Sequence, residues 1–199
     1  YVSLYPNIVT KVDEDDFVNL TTAVEKTKRE VDLVIVSVHW GLSFQPMVLE
    51  YQVDAAHRLV DHGVDIVMGN GPHVLHAMEI YKNRPIVYSL GNFIFHDPVG
   101  GLRSIPREQS HDPMKRAFLD FGFRWRSNEA AMARVVLSHV EMKRLEAIPI
   151  QARNGDPQLC DPESTTNVLN YLSVLSRFLG TSLAFENGKG ILRRINIPN

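Results

Sequence analysis

One cysteine, Cys160, is the whole thiol content of this 199-residue chain, so no disulfide can close within it. That scarcity neither requires nor excludes a secreted location. No apolar run reaches the roughly 20 residues that a membrane-spanning helix needs, and no signal peptide is visible. A basic excess is lacking too. The 21 Lys and Arg stand against 23 Asp and Glu, a net charge of −2, so a nucleic-acid partner is not expected. GxSxG is absent, which removes the nucleophile elbow and weakens any Ser–His–Asp scheme. Repeats, low-complexity tracts and a clear interdomain linker are missing as well. Nor does the chain begin with Met: it starts at Tyr1, which suggests a processed product or a fragment.

What is present is the composition of a folded protein, 44% hydrophobic and 9% aromatic, with length enough for one domain over 1–199 and a sizeable core. The pattern predicts an α/β fold, with parallel core strands followed by an antiparallel meander. Residues 1–12 read as a short extended entry. A helix is expected over 13–31, capped by Asp13 or Asp15, with Phe17, Leu20, Val24 and Val31 as its apolar stripe. The β-branched run 32–38 predicts a strand covered on both faces. A second helix over 48–62 leads to Gly63 and then to a second buried strand, 64–68. Strand, helix, strand implies a right-handed crossover, which puts the turns after 38 and 68 at one edge of the sheet. A hairpin follows over 77–82 and 85–90. Residues 97–116, rich in Pro, Gly and charge, read as a mobile loop. Strands are then expected at 117–125, 133–140 and 144–152, and a turn-rich connection at 153–163. A last helix, capped by Ser164 or Thr165, carries Val168, Leu172, Leu175 and Leu179 inward, and a closing hairpin over 184–195 has Gly-Lys-Gly at its tip.

Chemistry concentrates at the ends of the first strands, where a rigid sheet presents loops. His39 ends the first apolar run, as a ligand for zinc, manganese or iron or as a side chain bonded to a neighbouring loop. After the second run comes Gly-Asn-Gly-Pro-His. Gly69 and Gly71 permit close backbone approach, Pro72 stiffens the turn that presents His73, and Asn70 offers an amide oxygen to a metal or an amide N–H to a phosphate. His76 reads as a surface residue. Ser89 and Asn92 in SLGNF stand beside the same edge as candidate substrate contacts. Glu79 either orients a histidine or faces solvent. His57, His62, His96, His111 and His139 read as structural or solvated, with His139 inside a strand. Arg103, Arg107, Lys115 and Arg116 make the long loop basic.

The stretches VSVHWG and GNGPHVLHAMEIYKNRPIVYSLGNFIF strongly resemble the capsule-synthesis CapA family of bacterial proteins, tied to poly-γ-glutamate production. That family is similar in fold to the calcineurin-like metallophosphoesterases. The resemblance covers roughly residues 31–96, with a looser similarity of order beyond. It implies a metallophosphatase-like layered α/β fold and marks His39 and His73 as metal ligands. Asn70 stands where many relatives carry His. The family's first half should supply a GD motif, a Glu and an Asn–His motif, and none precedes residue 31, so the chain is expected to be the C-terminal half of such a protein.

What the resemblance implies for function is a metal-dependent phosphoesterase-like site with His39, His73 and Asn70 as ligands of Mn, Fe or Zn, two ions in the complete protein. An anionic polymer or phosphate ester would be its substrate. The missing N-terminal half or a second chain would complete it, and a segment outside this sequence would hold it extracytoplasmically at the membrane. The alternatives are a non-catalytic scaffold working with membrane synthase subunits of a polymer synthesis or export complex, and a metal-free α/β binding domain.

Overall fold

The described residues form two sheets. The computed structural model describes residues 10–94, 126, 128–153 and 156–195. Most of the extended entry over 1–12, the loop 97–116, the strand 117–125 and the side chains His96, Arg103, Arg107, His111, Lys115 and Arg116 lie outside the described residues. The first sheet has the order β1-β2-β4-β3, from Ile35–His39, Ile66–Asn70, Met78–Tyr81 and Arg84–Val87. β1, β2 and β4 run parallel and β3 is antiparallel to β4. The second sheet is an antiparallel set in the order β5-β6-β9-β8, from Glu129–Ser138, Glu141–Arg153, Thr181–Glu186 (β8) and Lys189–Arg194 (β9), with β7, Asp156–Leu159, paired to β6. Helices α1 (Glu14–Lys28) and α2 (Glu50–Asp61) belong to the first unit, and α3 (Pro162–Arg177) joins β7 to β8.

Alternation along the strands divides the core in two. Val67 and Ile86 face Phe17 and Val24 of α1 and Ala56, Leu59 and Val60 of α2. From the opposite face Met78, Ile80 and Val87 meet Leu145, Ala147 and Leu192 of the second sheet and Val168, Leu169 and Leu172 of α3. That second packing layer reaches β3 and β4 but stops short of β1 and β2. Ile35 and Met68 are 52% and 39% exposed, and Ser37, His39 and Asn70 share their open face. The strand expected to be covered on both faces therefore has one open face among the described residues. The alternating Ile35, Ser37 and His39 belong to that face, and its two polar members need no burial.

Backbone satisfaction fixes the junction of the two units. The N–H groups of Met78 and Ile80 on β3 donate to Ser176 Oγ and Thr181 Oγ1, each at 3.0 Å, so α3 and the start of β8 seal a strand edge that has no β partner among the described residues. Pro85 sits in β4 before its pairing with β2 begins at Ile86, so its missing N–H breaks no ladder bond there. Buried Asp65 accepts the Val34 N–H at 2.8 Å and pairs with Lys28 and Arg84, tying α1 and β4 to the entry of β1.

Several sequence expectations shift in detail. Asp13 does cap α1, accepting the N–H groups of Asp15 and Asp16, but the helix ends at Lys28 and its inward residues are Phe17, Thr21 and Val24; Leu20 and Val31 are exposed. Asp161, not Ser164 or Thr165, caps α3: its carboxylate accepts the Ser164 N–H at 2.8 Å, and Pro162 opens the helix. His139 lies at the β5–β6 turn with Val140, both at positive φ, instead of inside a strand. The last hairpin turns on Asn187 and Gly188, so Lys189 opens β9. No helix among the described residues is long and apolar enough to cross a membrane.

Candidate functional site

The Gly-Asn-Gly turn is shaped by a tryptophan. The Trp40 indole passes over Gly69 and its Nε1–H donates to the Tyr88 carbonyl at 2.9 Å, while the two rings stack at 5.7 Å. A Cβ on Gly69 would lie 2.3 Å from both Trp40 Nε1 and the Tyr88 oxygen, so only glycine fits. Gly71 turns the chain at φ +116, and a Cβ there would come 2.4 Å from the Trp40 carbonyl and 3.2 Å from His39 Nε2. The Trp40 N–H also donates to the Asn70 carbonyl at 2.9 Å. The two loops after β1 and β2 thus form one unit, as the crossover topology implies.

On that unit His39 pairs in register with Asn70, and its Nδ1 faces Asn70 Oδ1 at 2.9 Å. The Asn70 amide nitrogen points toward Ser37 Oγ at 3.4 Å. His73 follows three residues later with φ +61, a left-handed conformation that a non-glycine residue adopts at a cost. Its Nδ1 faces Asn92 Oδ1 at 2.8 Å. Phe44 stacks on the His73 ring at 5.5 Å, and its backbone N–H donates to the Pro72 carbonyl at 2.6 Å. Asn92 is 6% exposed. Ser89 is 2% exposed and its hydroxyl accepts the Gly91 N–H at 3.3 Å. The SLGN segment also joins the sheets, through bridges of Leu90 to Leu75 and Gly91 to Ala130.

His76 is a core residue instead of the expected surface one. It is fully buried, and one ring nitrogen, Nε2, donates to the Gln45 carbonyl at 2.7 Å, anchoring the loop that carries Phe44. Its Nδ1 is buried without a partner among the described residues, and burial lowers its pKa, so the ring is neutral near pH 7. Glu79 does orient a histidine, but on α2 and away from the metal candidates. Its carboxylate meets His57 Nε2 at 2.9 Å and accepts the Tyr88 O–H at 2.7 Å, while burial raises the Tyr88 pKa. A polar chain therefore runs from His57 through Glu79 and Tyr88 to Trp40, the neighbour of His39. Sequence reasoning missed Phe44 and this chain. The only signal was Trp40 and Tyr88 standing at the ends of two strands.

Two imidazoles at one loop pair are borderline donors suited to zinc, manganese or iron. Among the described residues no three His, Cys, Asp or Glu side chains converge on a common point.

The chain is a mixed α/β protein whose parallel strands present histidine-bearing loops. Residues 4–97 match the family described as bacterial capsule synthesis protein PGA_cap. The chain is 36% identical over 94 residues to capsule biosynthesis protein CapA of Bacillus anthracis, covering 47% of this chain and 21% of that protein. It is 39% identical over 72 residues to PGA biosynthesis protein CapA of Bacillus subtilis, covering 36% and 19%. A longer similarity, 27% over 208 residues, relates 89% of the chain to 45% of the uncharacterized protein y4sH of Sinorhizobium fredii. Over residues 4–97 the chain is similar to the CapA capsule-synthesis family, and it spans less than half the length of each of these relatives.

Proposed function

We propose that this chain is the histidine-bearing part of a CapA-like protein of capsule or poly-γ-glutamate biosynthesis, with a metallophosphatase-like fold and a metal-dependent phosphoesterase-like site. One observation carries the proposal. His39 and His73 stand after neighbouring strands, and each directs Nδ1 at an asparagine side-chain oxygen. A carbonyl-type oxygen at Nδ1 makes that nitrogen the protonated one and gives Nε2 the lone pair, the way ligating histidines are oriented. In this reading Asn70 works at the site by fixing His39, and Asn92 by fixing His73. Ser89 shapes the substrate side by holding the turn at Gly91.

The ion would be Mn, Fe or Zn, and it would supply Lewis acidity toward a phosphoryl oxygen of an anionic ester. The two imidazoles fall short of the three protein ligands usual at a catalytic zinc. The rest of the set, including ligands for a second ion, comes in this reading from the portion that the relatives have beyond this chain, or from a second chain. The open face around Ile35 and Met68 is where such a portion would pack. Attachment outside the cytoplasmic membrane through a further segment belongs to the same proposal.

The incomplete donor set among the described residues favours one other reading, a scaffold that works beside membrane synthase subunits without catalysis. The experiment that separates them is metal analysis of purified protein with parallel phosphate-ester hydrolysis assays of the chain extended upstream. Bound transition metal that is lost in His39→Ala and His73→Ala, with hydrolysis lost alongside, supports the first reading. Metal-free, inactive protein whose association with synthase subunits survives both substitutions overturns it in favour of the second.

A further inference from the structure

The loop after β1 is latched onto the turn that carries His73. A Cβ placed on Gly41 would lie 2.9 Å from Pro72 Cγ, so the two segments touch where the loop begins. Further along, the Phe44 N–H donates to the Pro72 carbonyl at 2.6 Å, and the Gln45 carbonyl accepts from His76 Nε2 at 2.7 Å. Gln45 also closes a turn of its own, its N–H donating to the Leu42 carbonyl at 3.2 Å. Backbone contacts thus hold Phe44 in place, and one of the anchors, His76, is fully buried. Phe44 and His73 both stand in the left-handed region, at φ +63 and +61, though neither is glycine. Such conformations persist only where the surrounding contacts over-determine them, and they gather at functional sites. Here the two strained residues face one another: their rings stack at 5.5 Å with planes 16° apart.

We propose that Phe44 is a positioning residue for His73: its phenyl face and the Asn92 amide oxygen together fix the imidazole so that Nε2 points in one direction. The inference rests on the reading of His73 as a metal donor. The hydrogen bond between His73 Nδ1 and Asn92 Oδ1, at 2.8 Å, acts at one point on the rim of the ring. Alone it leaves the ring free to tilt about that bond. A flat partner at 5.5 Å, within the range of offset stacking, opposes the tilt. One restraint selects the tautomer and the other selects the plane, and a lone pair needs both to meet an ion at the short distance a metal–nitrogen bond requires. Asn92 is buried and Phe44 is held through its backbone, so the imidazole is ordered on folding and not when an ion arrives. A leucine at position 44 would fill the space without presenting a plane. His39 supplies the contrast. Its Nδ1 faces the Asn70 oxygen at 2.9 Å, but among the described residues no aromatic ring stacks on it. Loss of the Phe44 ring is therefore felt at His73 and not at His39.

The test compares the metal-free chain with Phe44→Ala, Phe44→Leu and Phe44→Tyr in long-range proton–nitrogen spectra of the histidine side chains. A neutral imidazole released into water favours the Nε2–H form, whereas the Asn92 oxygen selects Nδ1–H. Wild type and Phe44→Tyr, which keeps the ring, show Nδ1–H at His73. Phe44→Ala and Phe44→Leu show a mixture of the two forms there, while His39 keeps its wild-type spectrum in every variant. Phe44→Leu retains apolar bulk and carries the comparison if Phe44→Ala fails to fold. Titration with Zn2+ alone reads the consequence: affinity falls about tenfold in Phe44→Leu and returns in Phe44→Tyr. A wild-type chain that takes up no Zn2+ overturns the metal reading of His73, and the tautomer comparison still decides the role of Phe44. That role is overturned if His73 keeps the wild-type tautomer in Phe44→Leu, if Phe44→Tyr behaves as Phe44→Leu does, if Zn2+ binds wild type and Phe44→Leu equally, or if His39 changes alongside His73, the mark of a general loosening of the loops.

Discussion

Trp40 and Tyr88 are bonded across β2: the indole N–H of the first donates to the backbone carbonyl of the second at 2.9 Å, and Gly69 is the gap through which it passes. This bond lets the HWG and GNG motifs act as one piece, since Trp40 is joined to His39 on one side and bonded to Asn70 on the other. Gly69→Ala sets a methyl group against both partners and is expected to cost about 2–4 kcal/mol from overpacking and the lost bond. Trp40→Phe leaves the buried Tyr88 carbonyl unpaired, for a loss of about 1–3 kcal/mol. Denaturant unfolding of the two variants measures both.

His76 gives the fold a pH dependence. Its folded pKa is lowered from 6.5 by burial, and its buried Nδ1 has no hydrogen-bond acceptor among the described residues for an added proton. The unfolded chain takes up that proton near pH 6.5 and the folded chain does not. The stabilisation is full above that pH and is lost as pH falls through 6.5 toward the folded value, with a slope no steeper than about 1.4 kcal/mol per pH unit for one proton. His76→Gln keeps a donor for the Gln45 carbonyl and removes the slope. Unfolding midpoints at pH 5, 6 and 7 test this, and an unchanged slope in the variant counts against it.

Sealing of the β3 edge by Ser176 and Thr181 predicts that each alanine substitution strands a buried backbone N–H, at Met78 or Ile80, and destabilises by about 1–3 kcal/mol. Amide exchange of Met78 and Ile80 accelerates in the respective variants and reports the loss locally.

Asp161→Ala removes the carboxylate that accepts from the Ser164 backbone and hydroxyl, and α3 loses about 1 kcal/mol. Thermal unfolding followed by circular dichroism measures it. Ser164→Ala keeps the backbone cap and has the smaller effect.

The strand–helix–strand order was legible because Val, Ile and Gly dominate that stretch and the 3.6-residue period of α2 is undisturbed. From that order alone the placement of the His39 and His73 loops at one edge followed. Burial was harder to read. His76 looks like its neighbour His73 in sequence, and only the Gln45 carbonyl, 31 residues earlier in the chain, distinguishes an anchored core histidine from an exposed one. Thr21 displaces Leu20 from the face of α1 because the inward stripe runs through Phe17, Thr21 and Val24, spaced four and three residues apart, and Leu20 falls beside it. The carboxylate of Asp161 caps α3 one residue before Pro162, so the Ser and Thr that followed looked like better caps than they are. At the site, Asn70 and Asn92 were visible as residues, but their grip on two histidine Nδ1 atoms depends on strand register and on the return of the chain at SLGN.

The central claim is that His39 and His73 are held as metal donors. Long-range proton–nitrogen spectra of the histidine side chains, recorded before and after addition of Zn2+, test it most directly. The account predicts that both rings start as Nδ1–H tautomers and that their Nε2 resonances shift together at the same metal concentration, while His57, His62 and His76 stay in place. Nε2–H tautomers at both positions, or spectra that metal leaves unchanged, contradict it.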